Sequence, residues 1–313
     1  MNPRFGVPTA YGTLRRVLVH RPGRELAVVT DATLSEFNFA RPVDRPRFLA
    51  EYDAMLDCFT RNAVETLRLT DVLSDDSAAL AYLGRRPNMT YTRDLATVFR
   101  SGAVLMSPHL TGRRGDEEIL GRAFERLGVP LLGRIEQPGF LEGGGVTMIG
   151  DDTVVASLCD RANESGTAQL RELVLGGEAR FFLEVPLPPG HIHIDGIFMV
   201  LDRDLAVIHE PPFRDRPCWL YEAGAGAPRE VMFLDFLDDR AIRRVGIDKE
   251  ERDRGHLNLV VVERSRRAVG FAEARRLGEA LEELGWIIEG FPSGELFVGR
   301  GGAHCMTCPL LVD

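Results

Sequence analysis

A glycine-rich segment near the C-terminus carries the residue best suited to covalent chemistry. Residues 299–309 read Gly-Arg-Gly-Gly-Ala-His-Cys-Met-Thr-Cys-Pro, so Cys305 follows a histidine and lies close to Arg300. Glycines allow the backbone to approach a ligand closely, and cationic neighbours favour the reactive thiolate form of a cysteine. We therefore interpret Cys305 as a nucleophile.

Two other interpretations apply to the same segment. Cys305 and Cys308 form a Cys-x-x-Cys pair, which is typical of a redox dithiol or of half a zinc site. The remaining cysteines, Cys58, Cys159 and Cys218, are single and far apart in the sequence, so a second pair is missing. We expect these three to be buried structural residues. Burial alone would not explain the glycines and the arginine around Cys305.

Two further polar segments stand next to predicted strands. Residues 87–94 bring an amide, Asn88, and a carboxylate, Asp94, together just before an apolar run. Glu142 is followed by three glycines, which would permit a close backbone approach to a ligand. Each segment also has a structural interpretation, as a turn before a strand in the first case and as a mobile hairpin entry in the second.

A histidine array follows at residues 190–195, Gly-His-Ile-His-Ile-Asp. In an extended strand His191, His193 and Asp195 would point to one face, because alternate side chains share a face. This spacing suits metal ligation as well as acid–base catalysis. Combined with a cysteine and several acids elsewhere, it favours covalent attack on a cationic carbon that carboxylates hold in position.

The elements that must position these residues alternate between strand and helix. The pattern predicts strands at 14–20, 64–69 and 257–262, helices at 48–63, 116–127 and 268–284, and a hairpin at 192–209. A less regular helix is predicted at 228–244. A unit of hairpin or strand, helix and strand recurs about five times, and only residues 224–228 look flexible. The alternation predicts an α/β fold in one domain, residues 1–313.

Composition excludes several classes of protein. The chain has 313 residues, 44% of them hydrophobic, and a net charge of -9, which argues against nucleic acid as a partner. It has no long apolar span, so no membrane partner is expected. The first six residues lack the apolar stretch of a signal peptide, and we expect a cytoplasmic protein with reduced cysteines.

The motifs together resemble the guanidino-group-modifying enzymes, and most closely the arginine deiminase family. They are Thr-Arg-Asp at 92–94, Leu-Glu-Gly-Gly at 141–144, His-Ile-Asp at 193–195 and Arg-Gly-Gly-Ala-His-Cys-Met at 300–306. The resemblance runs from residue 14 to the C-terminus. It implies the pentein fold, a five-bladed propeller of pseudo-fivefold ββαβ units around a central channel, which agrees with the recurring unit.

The resemblance also implies the chemistry and the roles of individual residues. The expected reaction is hydrolysis of the guanidinium group of L-arginine, or of a close analogue, to citrulline and ammonia through a covalent thiouronium on Cys305. The expected catalytic residues are Cys305, His193, Glu142, Asp94 and Asp195. Asn88, Arg113, Arg161 and Arg300 are expected to bind the amino-acid end of the substrate. No cofactor and no metal are expected, the partner is a small-molecule guanidine, and self-association is left open.

Two departures from the family and three alternative activities follow. Residues 71–86 replace the longer helical insertion of bacterial arginine deiminases, and Gly145 stands where those enzymes usually have an aspartate. The same catalytic set would serve an amidinotransferase or an arginine dihydrolase that gives ornithine. A propeller that binds arginine without turnover is the non-enzymatic alternative. Asp94 favours the deiminase, because the dihydrolases have an asparagine at the matching position.

Overall fold

The computed structural model describes residues 5–313. The predictions about the first six residues and about a domain over 1–313 therefore extend to four residues outside the described range. Strands in the described part are β1 Leu14–Val19, β2 Glu65–Arg68, β3 Ala96–Val98, β4 Ala103–Leu105, β5 Leu131–Arg134, β6 Val146–Ile149, β7 Thr153–Leu158, β8 Phe181–Pro186, β9 Phe198–Asp202, β10 Leu205–Ile208, β11 Pro217–Glu222, β12 Arg229–Met232, β13 Arg243–Gly246, β14 Val260–Glu263, β15 Arg267–Phe271, β16 Ile287–Phe291 and β17 Cys308–Val312.

The α-helices in the same range are α1 Leu34–Phe37, α2 Arg45–Arg61, α3 Leu69–Val72, α4 Ser77–Leu83, α5 Asp116–Leu127, α6 Glu164–Val174, α7 Phe233–Asp239, α8 Lys249–Asp253 and α9 Arg275–Glu282. Local sequence explains their starts. Asp44 caps α2 by accepting a hydrogen bond from the backbone N–H of Arg47, with a proline in the first turn. The described helices include none that is long and apolar enough to cross a bilayer.

The strands form a mixed α/β fold with five sheets among the described residues. Each sheet contains an antiparallel pair followed by a parallel strand, and a helix lies in the connection to that parallel strand. In one sheet the antiparallel pair joins the two ends of the chain, because β17 pairs with β1. The hairpin β11–β12 extends the sheet of β6, β7 and β8 to five strands. Closure of these units into a propeller stays a prediction.

Two predicted elements are wrong in part. The helix predicted at 268–284 begins only at Arg275, because the apolar run before it forms β15 and pairs with β14 and β16. The helix predicted at 228–244 is divided into β12, α7 and β13. Both errors have the same cause. Apolar residues at helical spacing form strands here, because neighbouring strands are available to complete a sheet.

Candidate active site

The predicted site residues come from equivalent places in the fold. Asp94, Glu142, Asp195 and Cys305 each lie in the short irregular segment that leads into the first strand of an antiparallel pair, namely β3, β6, β9 and β17. Three of these segments contain a 3-10 turn, at Thr92–Leu95, Gly143–Gly145 and Ile194–Gly196. The backbone therefore turns at the point where each side chain must leave the sheet.

Two adjoining cavities collect these residues. The inner cavity, of about 50 Å³, is lined by side chains that include all of the predicted catalytic and binding residues except Asp195. The outer cavity, of about 410 Å³, is lined by Asp195, His191 and others. His193, Arg300 and Cys305 line both cavities, so they stand at the junction. The structure thus brings the predicted set together around one space.

His193 is held by Glu142. Glu142 is fully buried, and its Oε2 lies 2.9 Å from His193 Nε2. The other ring nitrogen, Nδ1, lies 3.9 Å from Asp94 Oδ1 and 3.9 Å from Asp195 Oδ1. Burial lowers the pKa of His193, but the hydrogen bond to Glu142 and the charges of the three acids outweigh it and raise the pKa above its ordinary value. The arrangement favours a protonated imidazole.

Gly144 explains why this segment needs glycine. A Cβ at Gly144 would lie 2.5 Å from His193 Nδ1 and 3.1 Å from Asp195 Oδ2. The glycine backbone therefore closely approaches the side chains of His193 and Asp195. Gly145, the departure from the family pattern, has room for little more than a Cβ, which would meet Leu141 and Ser157 at 3.3 Å.

The two guanidinium-binding candidates each have one oxygen held by the protein. Asp94 Oδ2 accepts a hydrogen bond from Arg113 Nη1 at 2.5 Å, whereas its buried Oδ1 has no hydrogen-bond partner among the described residues. Asp195 Oδ2 lies 2.9 Å from His304 Nδ1. Burial acts to raise the pKa of Asp195. His304, His193 and Arg93 act in the opposite direction with a larger combined effect, so the pKa lies below its ordinary value.

Arg113 and Arg161 are engaged within the protein. Arg113 is buried, and besides Asp94 it donates to the carbonyl oxygens of Asn88 and Tyr91. Arg161 Nη1 lies 3.3 Å and 3.4 Å from the two carboxylate oxygens of Glu142. Each therefore pairs with a buried acid while also lining the inner cavity, and binding of the substrate carboxylate by these two arginines stays a prediction.

Arg300 and Asn88 are better placed to meet a ligand. Arg300 is exposed, and its side chain has no ion pair with any described residue. The Asn88 amide nitrogen donates to Phe37 O at 2.9 Å, whereas its buried Oδ1 has no hydrogen-bond partner among residues 5–313. An unsatisfied buried acceptor and an unpaired cation on one cavity wall would suit the ammonium and carboxylate groups of an amino acid.

Cys305 is only partly exposed, and burial raises the pKa of its thiol well above the usual range. Asp195 and Asp94 add to the rise, because their negative charge opposes the thiolate. Cys308 is buried in β17, and burial raises the pKa of its thiol to about 12. The burial of Cys308 favours a structural role over a second redox thiol.

The histidine array is not extended throughout, although His191, His193 and Asp195 all line the outer cavity. His193 is extended, but Asp195 lies in a 3-10 turn, so the array is not one strand. His191 bonds to Pro188 O through Nδ1 at 2.9 Å. Two groups of candidate metal ligands occur among residues 5–313, one of Asp94, Glu142 and His193 and one of Asp195, His304 and Cys305. His191 belongs to neither group.

Sequence reasoning also missed Asn258, His304 as a partner of Asp195, and Arg93. The Arg93 backbone N–H donates to Cys305 O, and its Nε donates to His304 O, each at 3.2 Å. Arg93 thereby fixes the turn that carries the nucleophile. The equivalent positions before each strand pair were the available signal, because Asn258 precedes β14 as Asp94 precedes β3.

Comparison with known structures agrees with this fold. A Pseudomonas aeruginosa DDAH variant complexed with citrulline matches with a TM-score of 0.73 and 19% identity, over 95% of this chain and 100% of the other. The N-terminal domain of ArgZ, an arginine dihydrolase of cyanobacteria, matches with a TM-score of 0.72 and 15% identity, over 95% and 97% of the two chains. These likenesses, at 15–19% identity, show a shared fold.

Sequence comparison identifies the family. The family model described as arginine deiminase matches residues 43–233, and the chain belongs to that family. An arginine deiminase of Listeria welshimeri is 25% identical over 259 residues, which are 74% of this chain and 63% of the relative. The chain therefore spans less than two thirds of the length of that relative.

Proposed function

We propose that the chain hydrolyses the guanidinium group of L-arginine, or of a close analogue, to citrulline and ammonia. One observation carries the proposal: Cys305 and His193 line both of two adjoining cavities, with Asp94 and Glu142 on the inner one and Asp195 on the outer one. A thiol nucleophile, a proton donor and paired acids are what attack on a guanidinium carbon requires. A binding protein would have no need of the nucleophile.

The carboxylates would hold the substrate. The unpartnered Oδ1 of Asp94 and the Oδ1 of Asp195 both lie near His193 Nδ1, and each offers an acceptor to a guanidinium N–H. The bound cation would offset the two negative charges that raise the pKa of the Cys305 thiol. Binding would therefore favour the thiolate at the moment when an electrophilic carbon is next to it.

Proton transfer would then pass through His193. Cys305 Sγ forms a bond to the guanidinium carbon, and protonated His193 gives its proton to the departing nitrogen, which leaves as ammonia. Neutral His193 next removes a proton from water, whose oxygen attacks the thiouronium carbon. The C–S bond breaks, the thiolate is restored and His193 is again protonated, while the remaining hydroxyl proton passes to solvent, where ammonia takes it up, so that citrulline remains.

The far end of the substrate would lie toward Arg300 and Asn88. Arg300 adopts a left-handed backbone conformation with φ of 62°, which costs a residue other than glycine about 1 kcal/mol or more. Such strain is tolerated where it directs a side chain to a ligand. In this proposal Arg113 and Arg161 favour the charged forms of Asp94 and Glu142, against the burial that leaves the pKa of Asp94 raised, and they touch the substrate less than the resemblance implies.

We also infer that the five units close into a propeller and act as one domain over residues 1–313. Support comes from a narrow cavity that is lined by residues of all five sheets, among them Leu14, Val98, Val146, Met199 and Val260. The pairing of β17 with β1 also joins the ends of the chain. A central channel would account for both observations.

Product analysis tests the function. The chain is incubated with arginine, and the products are identified by mass spectrometry together with an ammonia assay. Citrulline with one ammonia per arginine supports a deiminase, whereas two ammonia with ornithine indicates a dihydrolase. Ornithine release that depends on an added amine indicates an amidinotransferase. Absence of any product, with arginine bound, supports the binding protein.

A further inference from the structure

Among residues 5–313, Asn258 occupies a site-facing position that the predicted residues leave unfilled. Asp94, Glu142, Asp195 and Cys305 come from four of the five sheets, each from the segment before an antiparallel strand pair. Asn258 comes from the matching segment of the fifth sheet, immediately before β14. Its side chain is only 9% exposed and lines the outer cavity beside Cys305.

Both polar atoms of the Asn258 amide contact the segment that carries the nucleophile. Nδ2 donates to Cys305 Sγ at 3.0 Å. Oδ1 accepts from the backbone N–H of His304 at 2.7 Å and lies 3.4 Å from the backbone N of Cys305. Only the oxygen can accept from those two donors, so the donors fix the amide with its nitrogen facing the sulfur.

The glycine-rich turn packs closely against both Phe271 and Asn258. A Cβ at Gly302 would lie 2.4 Å from Phe271 Cζ and 3.0 Å from Asn258 Cγ, closer than ordinary packing allows. The turn is closed by hydrogen bonds from Met306 N to Gly302 O and from Thr307 Oγ1 to Ala303 O. The turn and the amide therefore form one rigid unit that sets the direction of Sγ.

We infer that Asn258 is a positioning residue for Cys305: its amide orients Sγ and stabilises the thiolate form. This inference rests on the proposed guanidine chemistry. Burial and two acids oppose the thiolate in this site, and the Asn258 hydrogen bond acts in the opposite direction. An amide donor is suited to this task because it supports the anion without adding a proton that the reaction must later remove.

The test measures alkylation of Cys305 by iodoacetamide against pH, with the labelled peptide identified by mass spectrometry. Asn258→Asp keeps the size and the backbone acceptor but replaces the donor, and Asn258→Ala removes both without adding charge. We expect the apparent pKa of the thiol to rise by about one unit or more in both variants. We also expect kcat to fall by about tenfold or more with KM little changed.

Asn62→Asp is the matched control. The Asn62 amide donates to the backbone oxygen of a different cysteine, Cys58, at 2.7 Å. This variant should leave alkylation of Cys305 and turnover unchanged. Thermal unfolding of each variant checks that the fold is kept, and Asn258→Asp retains the contacts that close the turn.

The outcomes separate this inference from the proposed function. If wild type does not convert arginine, the alkylation profiles still decide the role of Asn258. If wild type converts arginine but both Asn258 variants keep the wild-type alkylation profile and kcat, the inference is wrong while the function stands. A change confined to KM would also overturn it, because it would make Asn258 a substrate contact.

Discussion

Replacing Glu142 by glutamine should move the pH dependence of catalysis in a defined direction. In the wild type, Glu142 Oε2 lies 2.9 Å from His193 Nε2 with both side chains nearly inaccessible to solvent, so the interaction is little screened. A hydrogen bond between charged partners contributes about 1.5–3 kcal/mol, which corresponds to a pKa change of about 1–2 units. Glu142→Gln should therefore lower the pKa of His193 by about that amount.

The consequence for rate follows from the role of His193 as the acid. kcat/KM falls as pH rises through the pKa of the group that must be protonated. In Glu142→Gln this limb should shift to lower pH by about 1–2 units, and at pH values above both limbs the rate should fall by about 10- to 100-fold. The assay is citrulline formation from arginine between pH 5 and pH 9.5, approximately the range where His titrates.

The stability of the folded protein should also depend on the protonation of His193. Because folding raises the pKa of His193, its protonation stabilises the folded state below the unfolded pKa of about 6.5, and this contribution is lost as pH rises through the raised pKa. The wild-type midpoint of thermal unfolding should therefore fall more across that interval than the midpoint of Glu142→Gln. Glu136→Gln, the same change at an exposed position, is the control. An unmoved limb in a folded Glu142→Gln variant would refute the proposed coupling.

Three further predictions concern the nucleophile, the substrate's far end and metals. Cys305→Ala should abolish turnover without unfolding the protein. Cys308→Ala should retain more than about a tenth of the rate, which corresponds to a rise in the barrier of less than about 1.4 kcal/mol. A larger loss would favour the redox dithiol instead. Arg300→Gln should lower kcat/KM for arginine by about tenfold or more but leave agmatine almost unaffected, with Arg266→Gln as an exposed control, and an equal loss on both substrates would contradict carboxylate binding. Chelator treatment should leave the rate unchanged; a loss that zinc reverses would indicate a metal site instead.

Much of the site was predictable because its residues are adjacent to recognisable segments. Asp94, Glu142, His193 and Cys305 each stand in a short motif, and the order of motifs carries their combination. Asn258 was missed because it stands between Leu257 and Leu259, where a single polar residue looks like part of a strand. Its contact with Cys305 spans 47 residues of sequence and depends on how two sheets meet.

The arginines illustrate what pattern cannot supply. The sequence spacing from Asp94 to Arg113 does not show where either side chain points. A buried guanidinium is costly unless it is paired with an opposite charge such as a carboxylate. Arg113 therefore pairs with Asp94 inside the protein, whereas the exposed Arg300 is left for a ligand. The two arginines cannot be told apart by residue type.

The central claim is that Cys305 forms a covalent intermediate with the guanidinium carbon. The most direct measurement is mass spectrometry of the protein quenched in acid during turnover of arginine, with the modified peptide sequenced. The account predicts a thiouronium adduct on Cys305 that is absent from Cys305→Ala and that decays to citrulline. Turnover of arginine by the wild type with no adduct on any cysteine in the quenched protein, or an adduct on another cysteine, would contradict it.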